Sequence, residues 1–166
     1  MWSEQIIMML LEGIKDTLYM TLTSTLIGYV IGLPMGILLT VTDKDGIHPN
    51  AAVYKVLDVI ANLIRSVPFL ILLIVLIPFT RFLIGRSYGP TATIVPLVIA
   101  AAPYIARMVE SSLKEVDAGV IEAARSMGAS NFTIVTKVML VEARTSLIVG
   151  ATISLGTILG YSAMAG

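Results

Sequence analysis

Asp117-Ala-Gly-Val-Ile-Glu122-Ala123-Ala124-Arg125-Ser-Met-Gly128-Ala-Ser130, continuing Asn131-Phe132-Thr-Ile-Val135-Thr-Lys137-Val138-Met139-Leu140-Val141-Glu142, is the one long polar stretch in a strongly apolar chain. Asp117 is placed to cap a helix beginning at Ala118, its carboxylate accepting from the free N–H groups of the first turn. Glu122, Ala123, Ala124, Arg125 and Met127 are good helix formers. Gly128 then offers the left-handed conformation that ends a helix at no steric cost. Ser130 is placed to cap a second helix, in which Phe132, Val135 and Val138 or Met139 fall on one face. The stretch 117–142 therefore predicts two short helices at an angle. Neither is long or apolar enough to cross a bilayer. An amphipathic elbow between membrane helices is shaped to dock on something outside the membrane.

The composition supplies those membrane helices. The chain has 166 residues, 57% hydrophobic and 13% charged, with a mean hydropathy of +0.92. The apolar share exceeds that of soluble domains and the charged share is about half of theirs, so this is an integral membrane protein. A formal net charge of zero gives no ground for nucleic-acid binding. Without cysteine there is no disulfide framework, thiolate nucleophile or Cys-ligated metal. His48 is the only histidine. It sits in a polar loop with no partner ligands near it, so no metal site is expected. No lysine follows the glycine pattern of a phosphate-binding loop. If ATP drives this protein, another subunit binds it.

Outside the elbow the chain predicts four spans. Residues 1–16 carry an apolar stripe at Ile6, Ile7, Leu10, Leu11 and Ile14. They read as an amphipathic helix lying at the interface with Trp2 as an aromatic anchor. They do not form a signal peptide, because the positive n-region is missing. Residues 17–42 are uncharged and long enough for the first span. Gly28, Gly32 and Gly36 recur every fourth residue there, which lets another helix come close, and Pro34 is expected to bend it. A polar turn follows. Lys55, Asp58, Asn62 and Arg65 then form a stripe on one helix face. The uncharged run 66–80 is only about 22 Å long as a helix, so the second span must borrow the turn around Asn62–Arg65 or run past Arg81. Pro68 and Pro78 are expected to distort it. An ion pair of Asp58 and Arg65 at the membrane edge is favoured over a transport role for them. Residues 87–106 form the third span, with Ala100, Ala101 and Ala102 as a patch for close packing. Residues 145–166 form the fourth, with Gly156 and Gly160 spaced for close approach.

Glu122-Ala123-Ala124, then Gly128, Val138 and Leu140 at fixed offsets, resemble the EAA signature of bacterial ABC importer permeases. Val138 stands for the commoner isoleucine, and Val141 where the family usually has proline, which implies a less sharply bent exit from the second elbow helix. Arg65-Ser-Val-Pro68-Phe69 resembles a motif of amino-acid importer permeases. The ending Gly160-Tyr161-Ser162-Ala-Met164 is similar to the methionine-type members. The resemblance implies an all-α transmembrane bundle of the type I importer permease kind, one domain over 1–166, with 117–142 as its cytoplasmic coupling elbow. It implies a permease that is not itself an enzyme and binds no cofactor of its own. A second copy of the chain, two cytoplasmic ATPase subunits that supply ATP, and an extracytoplasmic substrate-binding protein complete it. Glu122, Ala123, Ala124 and Gly128 are the ATPase-coupling candidates. Tyr161, Ser162 and Met164 are candidates for the substrate pathway, since adaptable methionine can seal a narrow passage. A fifth span would follow, so the sequence is expected to be truncated or to lack the family's last helix.

Basic residues give the orientation independently. Lys44, Lys55, Arg65, Arg107, Lys114, Arg125, Lys137 and Arg144 lie on one side, and Lys15, Arg81 and Arg86 on the other. The positive-inside rule puts the first set, and the elbow, in the cytoplasm and the N-terminus outside. The expected location is the bacterial inner membrane, crossed several times. Two other classes compete. An ion-coupled secondary transporter would usually place ionisable groups at mid-membrane depth, and spans one, three and four have none in their cores. The other is a non-transporting membrane scaffold; an importer permease should copurify with an ATPase, and a scaffold or secondary transporter need not.

Overall fold

The computed structural model describes residues 4–165. Every regular element in it is helical. α1 (Glu4–Thr42) is followed by α2 (Ala51–Ser66), α3 (Phe69–Val75), α4 (Ile77–Ile84) and α5 (Pro90–Lys114). The elbow holds α6 (Ala118–Ser126), α7 (Asn131–Thr133), a π-helical stretch Ile134–Met139 and α8 (Leu140–Glu142), and α9 (Arg144–Ala165) ends the bundle. Among the described residues, α1, α5 and α9 are each long and apolar enough to cross a membrane.

α1 differs from its expectation. The amphipathic segment and the first span form one helix of 39 residues that passes through Pro34. Nothing between Asp16 and Thr17 breaks it, and the Thr17 hydroxyl donates to the Gly13 carbonyl at 2.8 Å across that junction. The expected interfacial helix is thus continuous with the span. Trp2 lies outside the described residues, as does Gly166.

The core is the seam of α1 against α5. A Cβ on Gly32 would lie 2.7 Å from the Ala102 carbonyl oxygen, and one on Gly36 would lie 2.5 Å from that of Ala106. Only glycine allows this approach, so the small-residue spacing does here what it does in membrane helix pairs generally. Ala101, Ile105 and Val109 fill the seam from α5 and are essentially inaccessible. α9 packs alongside through Gly150, Ser154, Ile158 and Ser162, spaced by four. Gly156 and Gly160 fall on the opposite face, and a Cβ on either would meet nothing within 4 Å. Within one chain they make no close approach, contrary to expectation.

Hydroxyl groups fasten the helices to one another. Thr21 and Ser162 share a hydrogen bond of 3.2 Å between α1 and α9, and Ser146 donates to Ser112 at 3.0 Å between α9 and α5. The second span is not a continuous helix. α2 and α3 meet at an angle of 102° across Val67 and Pro68. Pro68 cannot donate to the preceding turn and disfavours helical geometry at Val67, whose ψ is 124°. Counted as one span, the bent pair would bring the crossings among the described residues from three to four.

Candidate functional site

The elbow is built as its residues dictate. Asp117 accepts from the Gly119 N–H at 2.7 Å and starts α6. Gly128 closes it with φ at +83°. The Gly128 N–H reaches the Arg125 carbonyl at 2.9 Å, and the Ala129 N–H reaches that of Ala124 at 3.1 Å. These are the two bonds of a Schellman ending. Ser130 starts the second helix by accepting from the Thr133 N–H at 3.2 Å.

The second helix is not the regular α-helix expected. Its π-helical centre adds residues to the turn. The buried side is consequently Ile134 and Met139, followed by Ala143, while Phe132 is 79% exposed. Val135 and Val138 are half-buried beside this cluster. The expected face of Phe132, Val135 and Val138 or Met139 is split: Met139 is buried and Phe132 is not.

Glu122 and Ala123 stand exposed on α6. Ala124 does not share that surface. It is 5% exposed and belongs to the core cluster with Val109, Leu113, Ile134 and Met139. The signature alanines therefore divide: Ala123 faces out, and Ala124 seats α6 on the bundle. The outer surface of the elbow also carries Val120, Met127 and Phe132. These apolar groups stand exposed beside the Glu122 carboxylate.

A side chain of the elbow ties it to the loop after α1. The Arg125 guanidinium donates to the Ile47 carbonyl at 3.0 Å, anchoring α6 to the loop after α1. The same loop is held to α5, because Asp43 pairs with Lys114 at 2.7 Å. The hydrogen bond from Lys114 holds the Asp43 carboxyl below its ordinary value. Lys114 also reaches Glu110 at 2.8 Å, and Glu110 pairs with Arg107 at 2.7 Å. Arg107 in turn holds Asp58 and, at 3.0 Å, the Asn62 amide oxygen of α2. One chain of charges thus links the loop, α5 and α2. Sequence reading left it unassembled, although Arg107, Glu110 and Lys114 have the spacing of one helix face.

This network corrects the expected Asp58–Arg65 pair. Asp58 belongs to Arg107, and no carboxylate among the described residues pairs with Arg65. Arg65 lines a cavity of about 180 Å³ at the break between α2 and α3, together with Tyr104 and Tyr161. The three pathway candidates are placed differently from one another. Tyr161 stacks on Phe69 with ring centres 4.7 Å apart. Ser162 is buried, shares its hydrogen bond with Thr21 and donates to the Leu159 carbonyl at 2.8 Å. Met164 is 58% exposed.

A bundle of small-residue seams, a broken second span and a capped elbow has known counterparts. Residues 7–166 match the family model of the binding-protein-dependent transport system inner membrane component. The chain belongs to this family. Relatives include the D-methionine transport system permease protein MetI of Salmonella typhimurium, 51% identical over 164 residues, which are 99% of this chain and 76% of that one. The probable MetI of Vibrio cholerae is 44% identical, over 95% of this chain and 70% of that protein. A solved chain of the MetNI methionine ABC transporter, in an inward-facing conformation, superposes with a TM-score of 0.96 at 51% identity, covering 98% of this chain and 76% of that one. An amino acid ABC transporter solved with histidines superposes at 0.72 with 23% identity, over 99% of this chain and 76% of its own, and supports the fold alone. The fold is that of a type I importer permease, and the chain is a transport subunit of an ABC system whose ATPase is a separate subunit.

Proposed function

We propose that this permease imports methionine or a closely related amino acid by alternating access, as one of a symmetric pair. The observation that carries the reading is the 51% identity to methionine permeases over 99% of the chain. Residues 1–166 act as a single permease domain, and 117–142 is its coupling elbow. Two cytoplasmic ATPase subunits receive the two elbows through Glu122, Ala123 and the exposed Met127 and Phe132, with Ala124 and Gly128 fixing how α6 is aimed. ATP reaches the system only through those subunits. Their closure moves the elbows, and the anchors at Ile47, Lys114 and Arg107 carry that motion into α1, α5 and α2. A binding protein delivers substrate outside. The N-terminus lies outside and the elbow inside the bacterial inner membrane, a reading supported by seven basic residues besides Arg65 on the elbow side against Lys15, Arg81 and Arg86 on the other.

One feature of the chain supports a pair: a Cβ on Gly156 or Gly160 of α9 would meet nothing within the chain, so that face is open to a second copy. The pathway role rests on Tyr161, Ser162 and Met164 together: Tyr161 borders the cavity with Arg65, Ser162 locks α9 to α1, and Met164 stands free to meet its counterpart. Copurification tests the reading. An affinity-tagged permease extracted from its own membrane should retain an ATPase in equal numbers, and a permease that emerges alone would refute it.

A further inference from the structure

Among the described residues, Arg65 is a cation on the second span without a carboxylate partner. It sits at the end of α2, beside the break at Val67 and Pro68. Its cavity is walled by Ala100 and Tyr104 of α5, Tyr161 of α9, and Phe69 and Leu72 of α3. Ala100 and Tyr104 lie 14 and 10 residues from Lys114, hence about 21 and 15 Å from that end of a helix about 37 Å long. The cavity is therefore near the middle of the span. An ionised side chain at that depth is costly unless it is paired or faces water. Arg65 has no carboxylate partner among the described residues, because Asp58, the acid on its own helix, is taken by Arg107. Irregular backbone at membrane depth is likewise tolerated only against protein or a water-filled cavity, and residues 67–68 are irregular here. The cavity, about 180 Å³, far exceeds the roughly 10–15 Å³ that admits one water. The Tyr104 hydroxyl lies 3.3 Å from that of Thr157, whose own proton goes to the Ile153 carbonyl at 3.0 Å.

We propose that Arg65 receives the carboxylate of the transported amino acid in this cavity, with the Tyr104 and Tyr161 rings forming its walls. The inference rests on the amino-acid reading above and adds a place for the substrate within the membrane. A planar guanidinium matches a carboxylate with two parallel N–H···O bonds. The same fork cannot be satisfied by a carboxamide of the substrate, which offers one acceptor oxygen and a donor. An anion partners the Arg65 guanidinium only transiently, so that the site fills and empties once per cycle.

The chain contains no cysteine, so Arg65→Cys places a single thiol in the cavity. The full complex with its ATPase and binding protein is reconstituted in vesicles, with ATPase retention checking assembly. Wild type should take up methionine, and Arg65→Cys should lose at least tenfold of that rate. Aminoethyl methanethiosulfonate, which restores a cation, should recover uptake, while the neutral methyl reagent should not. Methionine, and not methioninamide, should slow modification of the thiol in the permease–ATPase complex. Arg65→Lys, which keeps a charge but not the fork, should retain an intermediate rate, and it takes the place of the cysteine variant if that variant does not assemble. Undiminished uptake by Arg65→Cys or Arg65→Lys, a thiol that no reagent reaches, or equal rescue by the neutral reagent would overturn the site while leaving the importer reading intact. A wild-type complex that moves no amino acid would overturn both.

Discussion

Gly128 holds its backbone at φ +83°, and its Cβ position is open space. Its role is therefore conformational and not a matter of room. Gly128→Val should cost about 1–2 kcal/mol locally, because a β-branched residue is strained there. α6 would end differently and be aimed elsewhere. We expect normal membrane insertion with reduced ATPase retention, and unchanged retention would show that the ending of α6 is irrelevant to docking. Glu122 poses the complementary question. It is exposed, so Glu122→Gln should leave the permease's own stability nearly unchanged. If it meets a basic or N–H-rich groove on the ATPase, the loss of charge should weaken assembly by about 1–3 kcal/mol. Titrating the ATPase onto wild-type and variant permease measures the difference, and identical affinities would confine Glu122 to a favourable place in the helix dipole. The sequence was legible at both residues because each is a local signal. Ala124 was not, since whether an alanine faces outward depends on how α6 lies on Ile134 and Met139, and that follows from a π-helical turn no spacing rule announces.

Among elements, the α1–α5 seam and the charge chain can be separated experimentally. Gly36→Val would drive a side chain into the Ala106 carbonyl and Val109, whose atoms already stand 2.5 and 2.7 Å from an added Cβ. The helices must part, and overpacking of this kind costs about 1–3 kcal/mol or more. The same change at Gly156 meets nothing within the chain. Thermal denaturation in detergent should therefore fall clearly for Gly36→Val. If the pair exists, Gly156→Val should act on copy number and not on the fold of each copy. Glu110, only 5% exposed, accepts from both Arg107 and Lys114. Glu110→Gln should destabilise the bundle by about 1–3 kcal/mol, as expected when charged donors lose their acceptor. An unchanged melting temperature would mean that Asp58 and Asp43 suffice alone. The seam was readable from Gly28, Gly32 and Gly36, because a spacing of four defines a helix face whatever its partner. The charge chain was not, because Asp58 had to choose between Arg65 on its own helix and Arg107 far along the chain. Proximity in sequence favoured the wrong one.

At the scale of the whole molecule, acid and topology give two checks. The Asp43 carboxyl is held below its ordinary value of about 3.8 by Lys114. A lowered folded-state value means that this link stabilises fully above about pH 4 and is lost as pH falls through the folded value. Asp43→Asn should thus lower stability at pH 7 and make less difference in strong acid, as pH-dependent melting would record; an equal deficit at every pH would exclude the ionic link. A reporter fused after Gly46 should read cytoplasmic and one at Gly85 extracytoplasmic, and the reverse would put the elbow on the wrong side for an ATPase. The most direct measurement is uptake by the reconstituted complex. Vesicles holding this permease with its ATPase and binding protein should accumulate labelled methionine only when ATP is present on the elbow side. Accumulation that follows an ion gradient without ATP, or none with every component present, would contradict the account.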